Sequence, residues 1–207
     1  MVDSENEAIK VILLGESGVG KTNLINIVTG VEFNENEGST STSTFSMKKL
    51  NVGGKVHRIK LWDTIGQEKL RTLTKLFYNN SKIVIFVYDI THQDSFEELK
   101  NYWVKDVEEK LGKKIIKGIV GNKSDLFMKE EVSEEKGEEY AKSIDAEFLL
   151  TSAKTEGPKK FEAFLTKLYE KYLNKIGGQP NPNQNDPKKV VLNNDNNVGP
   201  KPGKKPC

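Results

Sequence analysis

Cysteine is almost absent from the 207-residue sequence: Cys207 is the only one, so no disulfide can form within the chain. A chain without disulfides is typical of reducing compartments, and we expect a cytoplasmic protein. Long hydrophobic runs are also absent. No run approaches the roughly 20 apolar residues of a membrane-spanning helix, and the acidic, polar residues 1–10 do not resemble a secretory signal. Association with a membrane would therefore require an added anchor.

An excess of charge of one sign is missing as well. The sequence has 32 Lys and Arg and 30 Asp and Glu residues, which leaves a formal net charge of +2. This balance does not favour nucleic-acid binding, and we expect no nucleic-acid partner. Hydrophobic residues make up 35% of the chain and charged residues 30%, so the sequence can form one apolar core beneath a well-solvated surface.

Short apolar runs alternate with amphipathic segments along most of the chain. Nearly continuous Ile, Val, Leu and Phe runs suit parallel strands that are covered on both faces. The predicted strands are residues 8–14, 45–52, 55–62, 83–89, 115–121 and 147–150, and the predicted helices are residues 23–28, 96–111, 134–143 and 160–173. Gly53-Gly54 indicates a hairpin. The pattern predicts an α/β fold: a doubly wound, mixed but mostly parallel six-stranded sheet with flanking helices.

The composition changes near residue 175. Residues 175–207 contain six lysines, two aspartates and many Asn, Pro and Gly residues, but no aromatic residue. Such a segment cannot bury enough apolar surface to offset the loss of chain entropy, so we predict a disordered tail. Residues 8–174 are predicted to form one domain after a flexible N-terminus, residues 1–7.

A glycine-rich segment, GESGVGKT at residues 15–22, fits the pattern G-x-x-x-x-G-K-[ST] between a predicted strand and a predicted helix. Glycine lets the backbone approach phosphate oxygens, which face the amide groups at the helix N-terminus. Lys21 would reach the β- and γ-phosphates, and the Thr22 hydroxyl would bind Mg²⁺. A tight turn without a ligand is the alternative, which the strand–loop–helix context disfavours. The expected phosphate-binding residues are Gly15, Ser17, Gly18, Val19, Gly20, Lys21 and Thr22.

A polar tetrapeptide, Asn122-Lys123-Ser124-Asp125, follows the predicted fifth strand. The Asp125 carboxylate can accept hydrogen bonds from guanine N1–H and the 2-amino group, which adenine cannot donate. Ser152-Ala153-Lys154 follows the sixth strand, where the Ala153 amide could donate to guanine O6. The alternative for each segment is an ordinary polar turn. The expected guanine-binding residues are Asn122, Lys123, Asp125, Ser152, Ala153 and Lys154.

The segment DTIGQ, residues 63–67, ends the predicted third strand. Asp63 can hold Mg²⁺ through a water molecule, the Gly66 amide can reach the γ-phosphate, and Gln67 can orient the attacking water. The short pattern D-x-x-G alone is common by chance. Its place at the end of a strand beside a phosphate loop favours the catalytic interpretation.

The motifs GESGVGKT, DTIGQ, NKSD and SAK, in this order and spacing, resemble the Ras superfamily of small GTPases over residues 8–173. The segments KLWDT, RTLT, YDIT and DSFE are similar to Rab proteins. The resemblance implies a G domain that binds and hydrolyses GTP with Mg²⁺, cycles between GTP and GDP, and regulates vesicle trafficking. It also implies a monomer on the cytosolic face of an intracellular membrane, with an exchange factor, a GTPase-activating protein, an escort or dissociation-inhibitor protein, and effectors as partners.

The resemblance assigns roles to further residues. Phe33 matches the aromatic residue over the guanine, although simple packing is an alternative. Thr40 matches the threonine that binds Mg²⁺ and senses the γ-phosphate, and Thr42 could compete with it. Rab proteins offer a surface triad of aromatic residues to effectors, and the matching residues here are Phe45, Trp62 and Phe77. Burial of all three in the core is the alternative.

Three departures from the family keep other interpretations open. Ile65 replaces the usual alanine, and residues 38–45 are rich in Ser and Thr, so hydrolysis or exchange could be altered. The chain could then be a slowly hydrolysing or non-hydrolysing guanine-nucleotide-bound module. A P-loop ATPase or kinase is a further alternative, which Asp125 disfavours. Cys207 is a single candidate prenylation site where Rab proteins usually carry two, and an unmodified cysteine is the alternative.

Overall fold

The computed structural model describes residues 8–35, 38, 40, 44–64 and 77–177. A six-stranded sheet crosses the domain in the order β2-β3-β1-β4-β5-β6. The strands are β1 (Ile9–Leu14), β2 (Thr44–Val52), β3 (Lys55–Asp63), β4 (Ser81–Asp89), β5 (Ile116–Asn122) and β6 (Ala146–Leu150). Only the β2–β3 pair is antiparallel among these strands. The predicted mixed, mostly parallel α/β sheet is therefore confirmed.

The hairpin between β2 and β3 has the turn chemistry that its sequence predicts. Gly53 and Gly54 both have positive φ, at 58° and 79°, and Val52 pairs with Lys55. A two-residue turn with two positive φ angles matches the right-handed twist of the strands, and glycine adopts it without strain. The hairpin places β2 at one edge of the sheet.

The helices are α1 (Lys21–Thr29), α2 (Gln93–Glu98), α3 (Val104–Leu111), α4 (Glu134–Ser143) and α5 (Gly157–Gly177). A π turn, Leu99–Trp103, joins α2 to α3, and a 3₁₀ helix, Ser124–Lys129, follows β5. The sequence predicts the α2–α3 stretch as one regular helix and does not predict the 3₁₀ helix. Helix α5 continues through residues 175–177, which we assign above to the tail. None of the helices within the described residues is both long enough and apolar enough to cross a bilayer.

Two apolar clusters cover opposite faces of the sheet. Val11 and Leu13 of β1 belong to the cluster that includes α1 and α5, whereas Ile12 and Leu14 belong to the cluster that includes α2, α3 and α4. Residues 11–14 are all fully buried, because the central parallel strand is covered on both faces. The carboxyl ends of the parallel strands meet at one edge, where open α/β sheets bind their ligands.

Candidate functional site

A cavity of about 290 Å³ lies at this carboxyl edge of the sheet. Most of its lining consists of residues that the sequence predicts to bind nucleotide: Ser17, Gly18, Gly20, Lys21, Thr22, Phe33, Thr40, Asn122, Lys123, Asp125, Ser152, Ala153 and Lys154. The structure therefore brings together segments that lie more than 100 residues apart in the chain. Gly15 and Val19 are buried and do not line the cavity.

The loop between β1 and α1 closes around the ammonium group of Lys21. This buried Nζ donates to the carbonyl oxygens of Gly15 and Glu16, each at 2.8 Å. Burial lowers the pKa of Lys21 to about 8, although the negative charges of Asp63 and Glu16 partly oppose the shift. A phosphate in the cavity would favour the charged lysine, because an opposite charge stabilises the ammonium form.

Two glycines of this loop leave no room for a side chain. Gly15 has φ of 143°, and a Cβ there would lie 2.1 Å from the carbonyl oxygen of Val87. Gly20 has φ of 95°, and a Cβ there would lie 2.3 Å from Nδ2 of Asn122. Both positions require glycine, because the left-handed backbone region and the close contacts exclude other residues.

Three side-chain oxygens meet where α1, the residue 40 region and β3 approach each other. Thr22 Oγ1 donates to Asp63 Oδ2 at 2.8 Å and lies 2.9 Å from Thr40 Oγ1. Thr40 Oγ1 also donates to Asp63 Oδ2, at 3.3 Å. Oxygen ligands and a single carboxylate fit Mg²⁺, which keeps several waters and binds phosphate oxygens. Thr42, the alternative to Thr40, lies outside the described residues.

Asn122 joins the phosphate loop to the loop after β6. Its Nδ2 donates to the Val19 carbonyl oxygen at 2.8 Å, and its Oδ1 accepts from the Ala153 amide at 3.2 Å. The Ala153 amide, which we expect to face guanine O6, would have to share its hydrogen between these two acceptors. Asn122 therefore acts as a link between loops in this structure.

Asp125 is held by the loop that follows β6. Ser152, which is fully buried, donates its hydroxyl to Asp125 Oδ1 at 2.5 Å. The Ser152 oxygen also accepts from the amides of Lys154 and Thr155, each at 3.1 Å. These bonds fix one carboxylate oxygen of Asp125 while its side chain lines the cavity.

Lys123 adopts the left-handed conformation, with φ of 69°, which is uncommon outside glycine. Its ammonium group lies 2.6 Å from a carboxylate oxygen of the buried Asp89. Asp89 also accepts from the amide and the hydroxyl of Thr91, and it lies 3.1 Å from Nδ1 of His92. Burial raises the pKa of Asp89, but the bonds from Lys123 and Thr91 outweigh burial, so the net pKa is lowered.

One wall of the cavity is formed by the segment after α1. Phe33 lines the cavity and also packs against the apolar cluster beneath it, so both interpretations of this residue agree with its position. The segment is held by exposed contacts: Asn23 exchanges two hydrogen bonds with the Asn34 backbone, and Lys154 pairs with Glu35 at 2.9 Å.

Residues 10–173 match the model of the Ras family. The chain belongs to the Ras family. It is similar to Ras-related protein Rab-21 of Bos taurus, with 45% identity over 147 residues, or 71% of this chain and 66% of that protein. Human Rab-21 is also 45% identical, over 71% of this chain and 65% of its own length. Ras-related protein Rab-8B of Homo sapiens is 37% identical over 166 residues, or 80% of this chain and 79% of that protein. The chain thus matches just under two thirds of the length of the Rab-21 relatives.

This Ras-family chain carries a row of three aromatic rings beside the residue 40 region. The ring centroids of Phe45 and Trp62 are 5.2 Å apart, and those of Trp62 and Phe77 are 5.5 Å apart. Phe45 is 50% exposed, and the other two are partly exposed, so the alternative that all three belong to the core is wrong. Phe45 is the most exposed member of this row.

Other predicted residues lie outside the described part of this Ras-family chain. They are Ile65, Gly66, Gln67 and Cys207. Their predicted roles in hydrolysis, γ-phosphate binding and lipidation remain predictions.

Several residues at the site are not predicted from the sequence. Asn23, Glu35, Gly38 and Leu126 also line the cavity. Asp89, which pairs with Lys123, could have been found, because it ends a buried strand at the same carboxyl edge as Asp63 and Asn122. Asn23 and Glu35 carry no such signal, since polar residues on the surfaces of helices and loops are common.

Proposed function

We propose that this Ras-family protein binds GTP and GDP with Mg²⁺, hydrolyses GTP slowly and acts as a Rab-like switch. One observation carries the proposal: a single cavity is lined by the Asp125 carboxylate and by the buried ammonium group of Lys21. A carboxylate suits the donor edge of guanine, and an ammonium group within a glycine-rich loop suits phosphate oxygens.

The base is selected by hydrogen-bond complementarity. Asp125 accepts from guanine N1–H and the 2-amino group, while Ser152 fixes the orientation of its carboxylate. Adenine presents an acceptor at N1 and has no 2-amino group, so it would leave the carboxylate unpaired. An unpaired polar group in a binding site costs far more than a lost apolar contact.

The phosphates are bound by the loop between β1 and α1. Lys21 would turn from the loop carbonyls toward the β- and γ-phosphates, and backbone amides at the start of α1 would face the same anions. Thr22, Thr40 and Asp63 would hold Mg²⁺, directly or through water. The bound Mg²⁺ would neutralise charge on the phosphate oxygens.

Hydrolysis would depend on Thr40 and on two residues outside the described segments, Gly66 and Gln67. Gln67 orients the attacking water, and the Gly66 amide and Thr40 hold the γ-phosphate, so loss of that phosphate releases both segments. The sequence has only two arginines, Arg58 and Arg71, and Arg58 is an exposed residue of β3. A partner would therefore supply the positive charge that speeds hydrolysis.

The switch would control membrane traffic through proteins that read its nucleotide state. Effectors would bind the row of Phe45, Trp62 and Phe77. An exchange factor, an activating protein and an escort or dissociation-inhibitor protein would regulate the cycle. A prenyl group on Cys207, with the tail lysines, would anchor the protein to an intracellular membrane. A tagged Cys207→Ser variant should remain in the cytosol while the wild-type protein concentrates on a membrane.

Nucleotide competition tests the binding proposal. Protein loaded with a fluorescent GDP should release it to excess GDP but not to excess ADP, and Asp125→Ala should lose GDP affinity. Equal competition by ADP would refute guanine selection. Release into EDTA should be faster than into Mg²⁺ if Thr22, Thr40 and Asp63 hold the ion.

A guanine-nucleotide-bound module without turnover is the second candidate, and Ile65 favours it because a bulky residue stands beside the predicted catalytic segment. Single-turnover GTP hydrolysis, with and without a Rab-type activating protein, separates the two candidates. No phosphate release under either condition, together with tight GTP binding, would favour the module.

A further inference from the structure

The helical stretch after β4 is widened at its centre. In the π turn Leu99–Trp103, the amide of Val104 donates to the carbonyl of Leu99, five residues earlier. Apolar residues recur here every four positions, but an α-helix turns in about 3.6 residues, so such a row drifts around a regular helix. The wider turn counters this drift, and Leu99, Trp103 and Val107 are all fully buried. π turns are often found at functional sites.

The π turn positions Trp103 to reach the phosphate loop. Its indole Nε1 donates to the carboxylate oxygen Oε1 of Glu16 at 2.9 Å, across 87 positions of sequence. A buried indole N–H requires an acceptor, and a carboxylate forms a stronger bond than a neutral oxygen does. The rest of Trp103 lies within the apolar cluster that includes Ile12 and Leu14, so the indole cannot follow a displaced loop without disturbing the core.

Glu16 in turn contacts Lys21, the residue proposed to bind the phosphates. The Glu16 carbonyl accepts from Lys21 Nζ at 2.8 Å, and the next two residues of the loop, Ser17 and Gly18, are exposed. The side chain of Glu16 is therefore held by the core, while its backbone contacts Lys21. Without the bond from Trp103, the exposed part of the loop would move more freely.

We propose that Trp103 is a positioning residue for the phosphate loop, which acts through Glu16 and slows nucleotide release. The proposal rests on the proposed function, because it concerns the rate at which GDP leaves that cavity. Trp103 does not line the cavity. It fixes the carboxylate end of Glu16, and Glu16 fixes the loop around Lys21.

The test measures the release of a fluorescent GDP from full-length protein at constant Mg²⁺. Glu16→Ala and Trp103→Phe should each speed release about tenfold, the effect of losing one hydrogen bond to a charged group. The double variant should release far more slowly than the product of the two single effects would give, because both substitutions remove the same bond. Glu16→Gln keeps an acceptor oxygen, so its rate of GDP release should lie much closer to that of the wild-type protein than to that of Glu16→Ala.

Phe96→Leu is the matched control for loss of core packing. Phe96 is a buried aromatic residue of the same apolar cluster, but the proposal gives it no part in holding Glu16. The Phe96→Leu variant should have a lower melting temperature, as Trp103→Phe does. Its rate of GDP release should change by no more than about twofold. Glu16 is only partly buried, so Glu16→Ala remains informative even if Trp103→Phe does not fold.

Three results would overturn the proposal. They are unchanged release in Glu16→Ala, a double variant in which the two effects multiply to about a hundredfold, and a Phe96→Leu variant that releases GDP as fast as Trp103→Phe. If Glu16→Ala leaves GDP release unchanged while the wild-type protein retains GDP, the role of Trp103 is overturned and the proposed function stands. A wild-type protein that retains no GDP would overturn both.

Discussion

Asn122 donates its side-chain amide to the carbonyl oxygen of Val19 at 2.8 Å, so the residue that ends β5 also fixes the phosphate loop. The same side chain accepts from the Ala153 amide. A single buried side chain thus links the loops after β1, β5 and β6. These three loops meet in the cavity, and the link makes their positions interdependent.

Asn122→Ala should destabilise the protein and weaken GDP binding together. The substitution leaves the Val19 carbonyl and the Ala153 amide without their partner, at a cost of about 2–4 kcal/mol in the free energy of unfolding. Urea denaturation in excess GDP measures this loss. The exposed Asn51 of β2 provides a control, because Asn51→Ala should change the free energy of unfolding by less than about 0.5 kcal/mol. Equal losses for both variants would contradict the linking role.

Gly20→Ala should be far more damaging than Gly18→Ala. Both glycines have positive φ, but an added methyl group would lie 2.3 Å from Asn122 Nδ2 at Gly20 and would meet nothing within 4 Å at Gly18. We expect Gly18→Ala to cost about 1 kcal/mol in backbone strain and Gly20→Ala to cost several times more, because Asn122 must move. Melting temperatures of the two variants check the order. A similar melting temperature for both would show that Asn122 moves without loss.

Ser152→Ala should lower GDP affinity about tenfold through Asp125. The substitution removes the hydroxyl that donates to Asp125 Oδ1, so the carboxylate can rotate away from the base. Titration calorimetry with GDP measures the change. Ser124→Ala is the matched control, because the Ser124 hydroxyl donates to Glu156, at 3.5 Å, rather than to Asp125. If Ser124→Ala lowers GDP affinity as much, the Ser152 hydroxyl has no special role in orienting Asp125 toward the base.

Asp89→Asn should make the free energy of unfolding less dependent on pH in the acid range. The pKa of Asp89 is lowered in the folded protein from its ordinary 3.8, since the bonds from Lys123 and Thr91 outweigh burial, and His92 also faces the carboxylate. A lowered pKa contributes stability above the unfolded pKa, and this stability disappears as the pH falls through the folded pKa. Near pH 7 the variant should lose about 2 kcal/mol. Below the folded pKa it should approach the wild-type value.

Urea denaturation at several pH values between 7 and 3 checks this prediction. Asp94→Asn serves as the control, because Asp94 is exposed in the first turn of α2. Parallel pH curves for Asp89→Asn and the wild-type protein would show that Asp89 does not carry the dependence.

Local chemistry explains which parts of the fold could be predicted from the sequence. The apolar runs predict the strands because a strand covered on both faces needs no polar position, as residues 11–14 illustrate. The motifs predict most residues of the cavity because phosphate, Mg²⁺ and guanine each demand particular donor and acceptor groups. The start of α1 differs from prediction because Lys21 lies before the apolar periodicity begins, and α5 continues past the change of composition near residue 175.

Contacts between residues that lie far apart in the sequence could not be predicted. The bond between Trp103 and Glu16 joins residues 87 positions apart, and the pattern of Leu99, Trp103 and Val107 suits a regular helix face as well as a π turn. The left-handed conformation of Lys123 has no sequence signal either, since neither glycine nor asparagine occupies that position. These features depend on how distant segments pack, which a single sequence does not record.

The described residues that follow α1 are held less firmly than the phosphate loop. The phosphate loop is tied to the buried strands through Asn122, whereas Asn34 and Glu35 are held by exposed contacts with Asn23 and Lys154. Exposed hydrogen bonds and ion pairs are easily replaced by contacts with water, so they contribute little to holding a segment in place. This rim of the cavity can therefore be displaced while the strands and the apolar clusters beside them stay folded.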